Sequence, residues 1–333
     1  MNARPLTLPS ARGPLSAWVL DHLAGVDRPV PDGHRVDGLG DDVQLALYLC
    51  FEPHFSDLPG VVGDVEWDVE MIALRRRLEA AFECGLRRSL PAVRGDWRDV
   101  GAIIDRLISA DDGPSISAHI EHSGTIEEVR DVVVHRSAYQ LKEADPHTFG
   151  LPRLDGRAKQ LLATIQAGEY GVDAAERTMH VELFATTMRT LGLDDRRHAY
   201  LDALPPSALA ISNLATMFGI NRRSRGALVG HRAVFEITSP APSARYARAL
   251  ERLGAPAEAR RFYEVHVQAD TEHAHLAREM AVALAHDEPA LAGDIVFGAQ
   301  CVVATERHLA TTLLNRWSGA EIQSATHAVS VAG

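Results

Sequence analysis

The chain has 333 residues, of which 46% are hydrophobic and 6% aromatic, and its formal net charge is -11. This hydrophobic fraction is too high for a disordered chain, and the negative charge argues against nucleic acid as the main partner. No apolar run approaches the ~20 residues of a membrane span, and the N-terminus lacks the apolar segment of a secretory signal. We therefore expect a cytoplasmic protein that binds neither nucleic acid nor membrane.

The N-terminal part of the chain predicts an arm. Residues 1–40 are rich in Pro, Gly and Asp and predict at most one short helix, over residues 15–23. From residue 41 the apolar residues recur at helical spacing. We therefore predict an arm over residues 1–40, a helical domain over 41–318 and a frayed tail over 319–333.

Apolar periodicity, prolines and capping residues predict helices along the rest of the chain. The predicted helices span residues 41 to about 58, 67–88, 97–109, 123–144, 155–191, 205–219, 224–238, 242–253, 256–285 and 289–317. Gly168 and Gly171 cost about 1 kcal/mol each inside the helix 155–191, and such weak points often coincide with a bend or a functional site. Strand alternation and internal repeats are not visible, so we predict an all-α protein with a single helical bundle.

The predicted helix over 256–285 carries His266, Asp270 and His273 at spacing i, i+4, i+7. At about 100° per residue the three side chains fall within roughly 60° on one face. Two imidazoles and a carboxylate on one face form a pattern typical of metal ligands. A solvated face can hold the same residues, and Glu272 and His275 lie on other faces that we expect to be exposed.

The predicted helix over 155–191 carries Glu169, Glu176 and His180 at spacing i, i+7, i+11. These residues fall within about 40° of one another on a helix. Asp173 shares the face and is an alternative to Glu176. The stripe is either a solvated acidic face or a set of buried polar groups, and apolar residues beside it favour burial, which requires partners or a metal.

Glu143, near the end of the predicted helix 123–144, completes a set of four carboxylates and three histidines. The predicted metal ligands are Glu143, Glu169, Glu176, His180, His266, Asp270 and His273. Four negative charges match two ferrous ions, and mixed carboxylate and imidazole ligands with open positions suit iron that binds O₂. A site without sulfur is a poor structural zinc site.

At these residues the sequence resembles the haem-oxygenase-like di-iron oxidases and oxygenases, a superfamily of iron-containing redox enzymes. The segment from His266 to His273 has the His-x-x-x-Asp-x-x-His pattern of the third core helix of the superfamily, and the spacing of Glu143 and Glu169 fits its layout. The superfamily often has Glu-x-x-His on the second core helix. Here Glu176 and His180 are four positions apart, so one extra residue must be absorbed, for example as a π-bulge.

The resemblance, over roughly residues 41–317, implies a haem-oxygenase-like bundle of about seven core helices without haem. It also implies two Fe(II) ions, O₂ as co-substrate and an external reductant. Members of the superfamily either N-oxygenate amines or cleave C–C bonds, and the ligands do not distinguish these reactions. We expect an oxygenase of specialised biosynthesis that N-oxygenates a primary amine of a small amino acid or related metabolite. The alternatives are oxidative C–C cleavage or decarboxylation, and a non-catalytic iron-binding protein.

The substrate is expected to be a small molecule, an amine or amino acid, and the protein a homodimer. Arg222, Arg223 and Arg225 form a tight basic cluster that is predicted to grip a substrate carboxylate, because Arg binds carboxylates with two hydrogen bonds. The alternative for this cluster is the start of a surface helix with ordinary ion pairs.

Other all-helical enzymes fit less well. A ferritin-like site requires two Glu-x-x-His motifs, and Glu272–His275 is the one such spacing among the candidate motifs. A metal phosphohydrolase with a His-Asp dipeptide would have to use His286 and Asp287, which lie at a predicted helix end. In a haem pocket, four inward-facing carboxylates would be costly.

Overall fold

The structure is a computed structural model that describes residues 6–31, 36–93, 97, 99–172 and 178–319. Over these ranges the chain is helical and has no strand, so the all-α prediction is confirmed. The α-helices are α1 (Pro14–Leu23), α2 (Asp41–Phe51), α3 (Val69–Ser89), α4 (Val100–Ser109), α5 (Ile116–His122), α6 (Ile126–Gln140), α7 (Asp145–Thr148), α8 (Gly156–Glu169), α9 (His180–Thr190), α10 (Pro206–Ile220), α11 (Arg225–Thr238), α12 (Pro240–Arg252), α13 (Ala257–Asp287) and α14 (Ala292–Trp317).

The predicted arm contributes α1, which packs against α2. Trp18 and Leu23 of α1 are buried. The Asp42 carboxylate accepts hydrogen bonds from the backbone N–H groups of Leu15 and Ser16, at 2.9 and 2.7 Å, and so satisfies donors that the first turn of a helix leaves unpaired. The boundaries of the arm, the domain and the tail remain predictions.

The helix predicted over residues 123–144 is shorter than expected. A capping box between Thr125 and Glu128 starts α6, and the helix ends at Gln140. Pro146 then occupies the first turn of α7, where its missing N–H is not needed. Glu143 therefore lies in the turn between α6 and α7, not on a helix.

The prediction of one long helix over residues 155–191 is wrong. The chain forms α8, which ends at Glu169, and α9, which begins at His180. Gly171 has φ +69°, a left-handed conformation that ends a helix and that side chains rarely adopt. The helix therefore breaks near the two glycines, Gly168 and Gly171, that the sequence analysis identified as weak points.

Helix α11 forms the centre of the bundle and packs along both α13 and α14. Its residues 226–234 are all buried. Helix α13 also packs against α8, α9 and α12, and α5, which the sequence did not predict, packs against α12. None of the helices in the described ranges is long and apolar enough to cross a membrane.

Candidate metal centre

Six of the seven predicted ligands meet in the interior of the bundle. One cluster is formed by donor atoms of the turn after α6, the end of α8, the start of α9 and the middle of α13. These donor atoms lie within 4.8 Å of one another and belong to Glu143, Glu169, His180 and His266. All four residues are buried, at 7% exposure or less. Carboxylates and imidazoles that converge in this way could hold a metal ion.

A second cluster shares one carboxylate with the first. Its donor atoms also lie within 4.8 Å of one another and belong to Glu169, Glu236, Asp270 and His273. Each of these residues is buried. Glu169 belongs to both clusters, so it would serve as a ligand in both if each cluster held an ion.

The first cluster is closely packed. His180 Nδ1 lies 3.0 Å from Glu169 Oε2, and His266 Nε2 lies 3.5 Å from Glu143 Oε2. The ring centroids of the two histidines are 4.3 Å apart. His266 Nδ1 donates a hydrogen bond to the backbone carbonyl of Phe262 at 2.8 Å, which leaves Nε2 as the atom free to bind a metal.

His273 lies at the centre of the second cluster. Its Nδ1 atom is 3.7 Å from Glu169 Oε1, 3.6 Å from Glu236 Oε2 and 3.7 Å from Asp270 Oδ1. The hydroxyl of Ser239 donates a hydrogen bond to the other oxygen of Asp270. This bond fixes the orientation of the Asp270 carboxylate.

A glycine makes room for this histidine. A Cβ atom added at Gly168, the residue before Glu169, would lie 2.6 Å from His273 Nε2. Real Cβ atoms essentially never approach other atoms so closely. Gly168 therefore allows the His273 ring to pack directly against the end of α8.

A buried arginine lies within the acidic centre. Arg232 Nη2 is 2.8 Å from Glu169 Oε1 and 2.5 Å from Glu236 Oε1, and 2% of its side chain is exposed. Burial by itself would raise the pKa of Glu169, but His180 and Arg232 outweigh it and hold that pKa well below its usual value. Burial, and then the charge of Glu236, raise the pKa of Asp270 well above its usual value.

The histidine of the first cluster is affected in the opposite way. Burial lowers the pKa of His266, but the Glu143 carboxylate outweighs burial and raises the pKa to about 10. This environment favours a proton on His266, and because metals bind the neutral imidazole, an ion at His266 Nε2 would have to displace that proton.

The donor set fits a metal centre. Four buried ligand atoms make no hydrogen bond of acceptable geometry among the described residues, even though His180 Nδ1 and Glu169 Oε2 are 3.0 Å apart, and they are Glu169 Oε2, His180 Nδ1, His266 Nε2 and His273 Nδ1. Buried polar atoms of this kind are costly unless something binds them. The four carboxylates, of Glu143, Glu169, Glu236 and Asp270, carry enough negative charge for two divalent ions.

Comparison with known families agrees with this centre. A model of a haem-oxygenase-like family described as "Iron-containing redox enzyme" matches residues 130–307, more than half of the chain. The chain belongs to this family. The resemblance inferred from the motifs and the haem-oxygenase-like helical fold are both confirmed. Among curated proteins, no match was found.

The family match spans every residue of the two clusters. Glu176, the seventh predicted ligand, and its alternative Asp173 lie outside the residues that the structure describes. The face argument that linked Glu169, Glu176 and His180 does not hold, because Glu169 and His180 lie on different helices. The end of α8 and the start of α9 nevertheless bring these two residues together.

The structure does not bring the three predicted substrate arginines to the clusters. Arg223 pairs with Glu83 at 2.5 Å, Arg225 pairs with Glu288, and Arg222 is exposed. Arg225 begins α11, eleven residues before Glu236, so at about 1.5 Å per residue they are separated by about 16 Å along the helix. The cluster thus lies at the other end of α11 from the metal-ligand residues, with Arg223 and Arg225 in ion pairs. That these arginines grip the substrate stays a prediction.

The sequence analysis missed Arg232 and Glu236 as members of the centre. Both residues are charged and stand four positions apart in the buried part of helix α11, where most neighbours are apolar. This pattern could have identified them from the sequence, because charged residues inside a buried helix need partners of opposite charge or a metal.

A cavity of about 360 Å³ reaches the first cluster. Glu143 and His266 form part of its wall, together with aromatic and aliphatic side chains that include Phe184, Phe262 and Val234. This volume is at the small end of the range for ligand pockets. The cavity gives a small molecule access to the candidate metal centre.

Proposed function

We propose that the protein is a non-haem di-iron oxygenase that uses O₂ and an external reductant to N-oxygenate a primary amine of an amino acid or related metabolite. The family supports iron and redox chemistry. The observation that carries the proposal is the pair of buried clusters that share Glu169 at the wall of a small cavity.

The proposed ligands are assigned by cluster. Glu143, His180 and His266 would hold one iron, Glu236, Asp270 and His273 the other, and Glu169 would contact both. Ferrous iron at these positions supplies the electrons and open coordination positions needed to activate O₂. The sulfur-free donor set is consistent with redox iron and disfavours structural zinc.

The other side chains of the site orient and shield the reaction. The side-chain amide nitrogen of Gln140 faces the Glu143 carboxylate and donates a hydrogen bond to each of its two oxygens, both at 3.0 Å. Phe184 and Phe262 pack with ring centroids 5.1 Å apart and form an apolar part of the cavity wall, which Glu143 and His266 also line. A substrate amine held in this cavity would be positioned near the ligands, and positioning supplies a large part of the rate enhancement in such reactions.

Two other functions are distinguishable by experiment. Oxidative C–C cleavage would shorten the carbon chain of the substrate and leave its nitrogen unlabelled by O₂. A non-catalytic iron-binding protein would bind iron but would not consume O₂ in the presence of any candidate amine.

The test is mass spectrometry of amino acids and amines incubated with the Fe(II)-loaded protein, a reductant and ¹⁸O₂. We expect a product that carries ¹⁸O on nitrogen. His266→Ala should abolish it, whereas His275→Ala, an exposed histidine of the same helix, should not. An unlabelled amine with a shortened carbon chain, or no substrate-dependent O₂ consumption, would refute the proposal.

A further inference from the structure

An ion pair lies in the wall of the cavity that reaches Glu143. Arg136 of α6 and Glu306 of α14 form two parallel hydrogen bonds, Nη1 to Oε1 at 2.6 Å and Nη2 to Oε2 at 2.5 Å. Both residues line the cavity. Their side chains are 19% and 30% exposed, so neither is sealed in the protein interior.

Arg136 and the metal-ligand end of the cavity share one line of residues. Val132, Arg136 and Gln140 line the cavity at spacings of four residues, which places them on one side of α6, and Glu143, in the turn that follows the helix, lines it as well. At about 1.5 Å per residue, Arg136 lies ~6 Å from Gln140 along the helix, and the Gln140 amide in turn donates to both Glu143 oxygens at 3.0 Å. The cavity therefore has a charged end and a metal-ligand end.

The ion pair has capacity for a further partner. Arginine has five N–H donors, and within the described part of the chain the hydrogen bonds of Arg136 are the two to Glu306. A carboxylate offers about four acceptor positions, so Glu306 also has positions left. Burial lowers the pKa of Arg136, but Glu306 outweighs it and raises that pKa, so the guanidinium stays charged.

The remaining lining at this end is aromatic. Tyr246 and Tyr263 line the cavity, with ring centroids 5.2 Å apart. Burial, opposed by the charge of Arg136, raises the pKa of Tyr246 to about 12, so its hydroxyl is neutral and can donate a hydrogen bond.

We propose that Arg136 and Glu306 form a binding site for the zwitterionic head of an α-amino acid, with the carboxylate on Arg136 and the ammonium on Glu306. The side chain of the amino acid then extends along α6 toward Glu143 and His266. A zwitterion completes a ring of alternating charges on an existing ion pair and leaves no charge unpaired. The proposal rests on the proposed function for the reaction at the far end, but the binding itself does not require that reaction.

The length of the cavity selects the side chain. A side chain whose head group is held at Arg136 must extend past Gln140, ~6 Å along α6, to reach the Glu143 carboxylate that accepts the Gln140 hydrogen bonds. An extended side chain of four or five atoms, such as that of lysine, ornithine or norleucine, covers such a distance. Amino acids with shorter side chains do not reach Glu143 and His266. Amines without a carboxylate lack the group that binds Arg136, so they should bind more weakly.

A purely structural ion pair between α6 and α14 makes a different prediction, and the chain contains a matched example. Arg316 of α14 pairs with Asp131 of α6 on the same two helices. Neither of these residues lines the cavity. Substitution of Arg316 therefore shows how the loss of an α6–α14 ion pair outside the cavity affects ligand affinity.

The experiment is calorimetric titration of the Fe(II)-loaded protein without O₂, so that affinity is measured without turnover. The probes are L-lysine, L-ornithine, L-norleucine, L-alanine and pentane-1,5-diamine. We expect at least one of the first three to bind at least tenfold more tightly than L-alanine, and L-lysine at least tenfold more tightly than the diamine. Arg136→Met should weaken the best ligand at least tenfold, Arg136→Lys should weaken it less, and Arg316→Met should leave it unchanged.

Iron content and circular dichroism of each variant show whether the metal centre and the fold are intact. Equal binding of L-lysine and the diamine, unchanged affinity in Arg136→Met, or no binding of the three long amino acids would overturn the proposal. Because no O₂ is present, these results do not depend on N-oxygenation. A protein that binds the amino acid and fails to oxygenate it would refute the proposed function alone.

Discussion

Arg232 Nη2 lies 2.8 Å from Glu169 Oε1, inside the cluster of carboxylates that we assign as a di-iron centre. The same guanidinium nitrogen lies 2.5 Å from Glu236 Oε1. The guanidinium therefore partly neutralises the four buried carboxylates of the metal-free protein. Bound iron would take over much of this neutralisation.

Replacement of Arg232 should destabilise the metal-free protein more than the iron-bound protein. Arg232→Met leaves Glu169 and Glu236 buried without their cation, and breaking a buried ion pair costs about 3–5 kcal/mol. Without iron, we expect the free energy of unfolding of the variant to be lower than that of the wild type by about this amount. Addition of Fe(II) should then raise the free energy of unfolding more in the variant than in the wild type. Arg278→Met, which breaks an exposed pair with Asp105, is the control for chemical denaturation. Equal losses with and without iron would contradict the assignment of Arg232.

Metal removal should loosen α13. Its ligands His266, Asp270 and His273 converge with other charged groups, so without iron their repulsion opposes local packing. We expect hydrogen exchange across residues 262–276 to slow when Fe(II) is added, while exchange in α10 stays the same. Identical exchange of residues 262–276 with and without iron would be the contrary result.

Gly168 should be essential for the second cluster. Gly168→Ala places a methyl group against the His273 ring, because an added Cβ would lie 2.6 Å from its Nε2 atom. We expect the ring to be displaced and the affinity for the second iron to fall at least tenfold. Gly293→Ala, in α14 where nothing lies within 4 Å of an added Cβ, should leave iron binding unchanged. Isothermal titration with Fe(II) under anaerobic conditions compares the two variants.

A buried histidine pair should make the fold sensitive to acid. His147 Nε2 and His231 Nδ1 are 3.0 Å apart, and burial, followed by the charge of Arg232, lowers the pKa of His231 to about 3. Below the unfolded pKa of about 6.5, the unfolded chain binds a proton that the folded chain excludes, so stability is complete above pH 6.5 and decreases as the pH falls. For His231 alone we expect a loss of about 2 kcal/mol between pH 6.5 and 5.

This acid sensitivity can be assigned by substitution. His231→Phe keeps an aromatic ring against Phe235, with which His231 stacks at 4.7 Å, and removes the titrating group. The decrease in unfolding free energy from pH 6.5 to 5, measured by urea denaturation, should then be smaller than in the wild type. The exposed His286→Gln should show the wild-type decrease. An unchanged decrease in His231→Phe would refute the assignment.

Local signals in the sequence predicted most of the helices. The positions of Pro206 and Pro240 and the apolar periodicity of α3, α13 and α14 are properties of short segments, so they can be read without knowledge of the fold. The break between α8 and α9 was harder to predict from the sequence. It depends on the backbone conformation of Gly171, and a helical pattern continues across that position.

The candidate site was predictable where its ligands share one helix. His266, Asp270 and His273 have a helical spacing that the structure retains. The roles of Glu236 and Arg232 could not be predicted from the sequence, because they depend on the packing of α11 against α13. The placement of Arg136 opposite Glu306 likewise depends on contacts between distant helices, about which spacing within one helix carries no information.

The central claim is that two irons bind in clusters that share Glu169, and iron stoichiometry tests it most directly. Equilibrium dialysis against Fe(II) without O₂, followed by metal analysis, should give close to two irons per chain in the wild type and in the exposed-residue control Glu272→Ala. Glu143→Ala and Glu236→Ala should each lose about one iron, because each residue belongs to one cluster, and Glu169→Ala should lose both. Two irons retained in Glu169→Ala, or fewer than two in the wild type at saturating Fe(II), would contradict the claim.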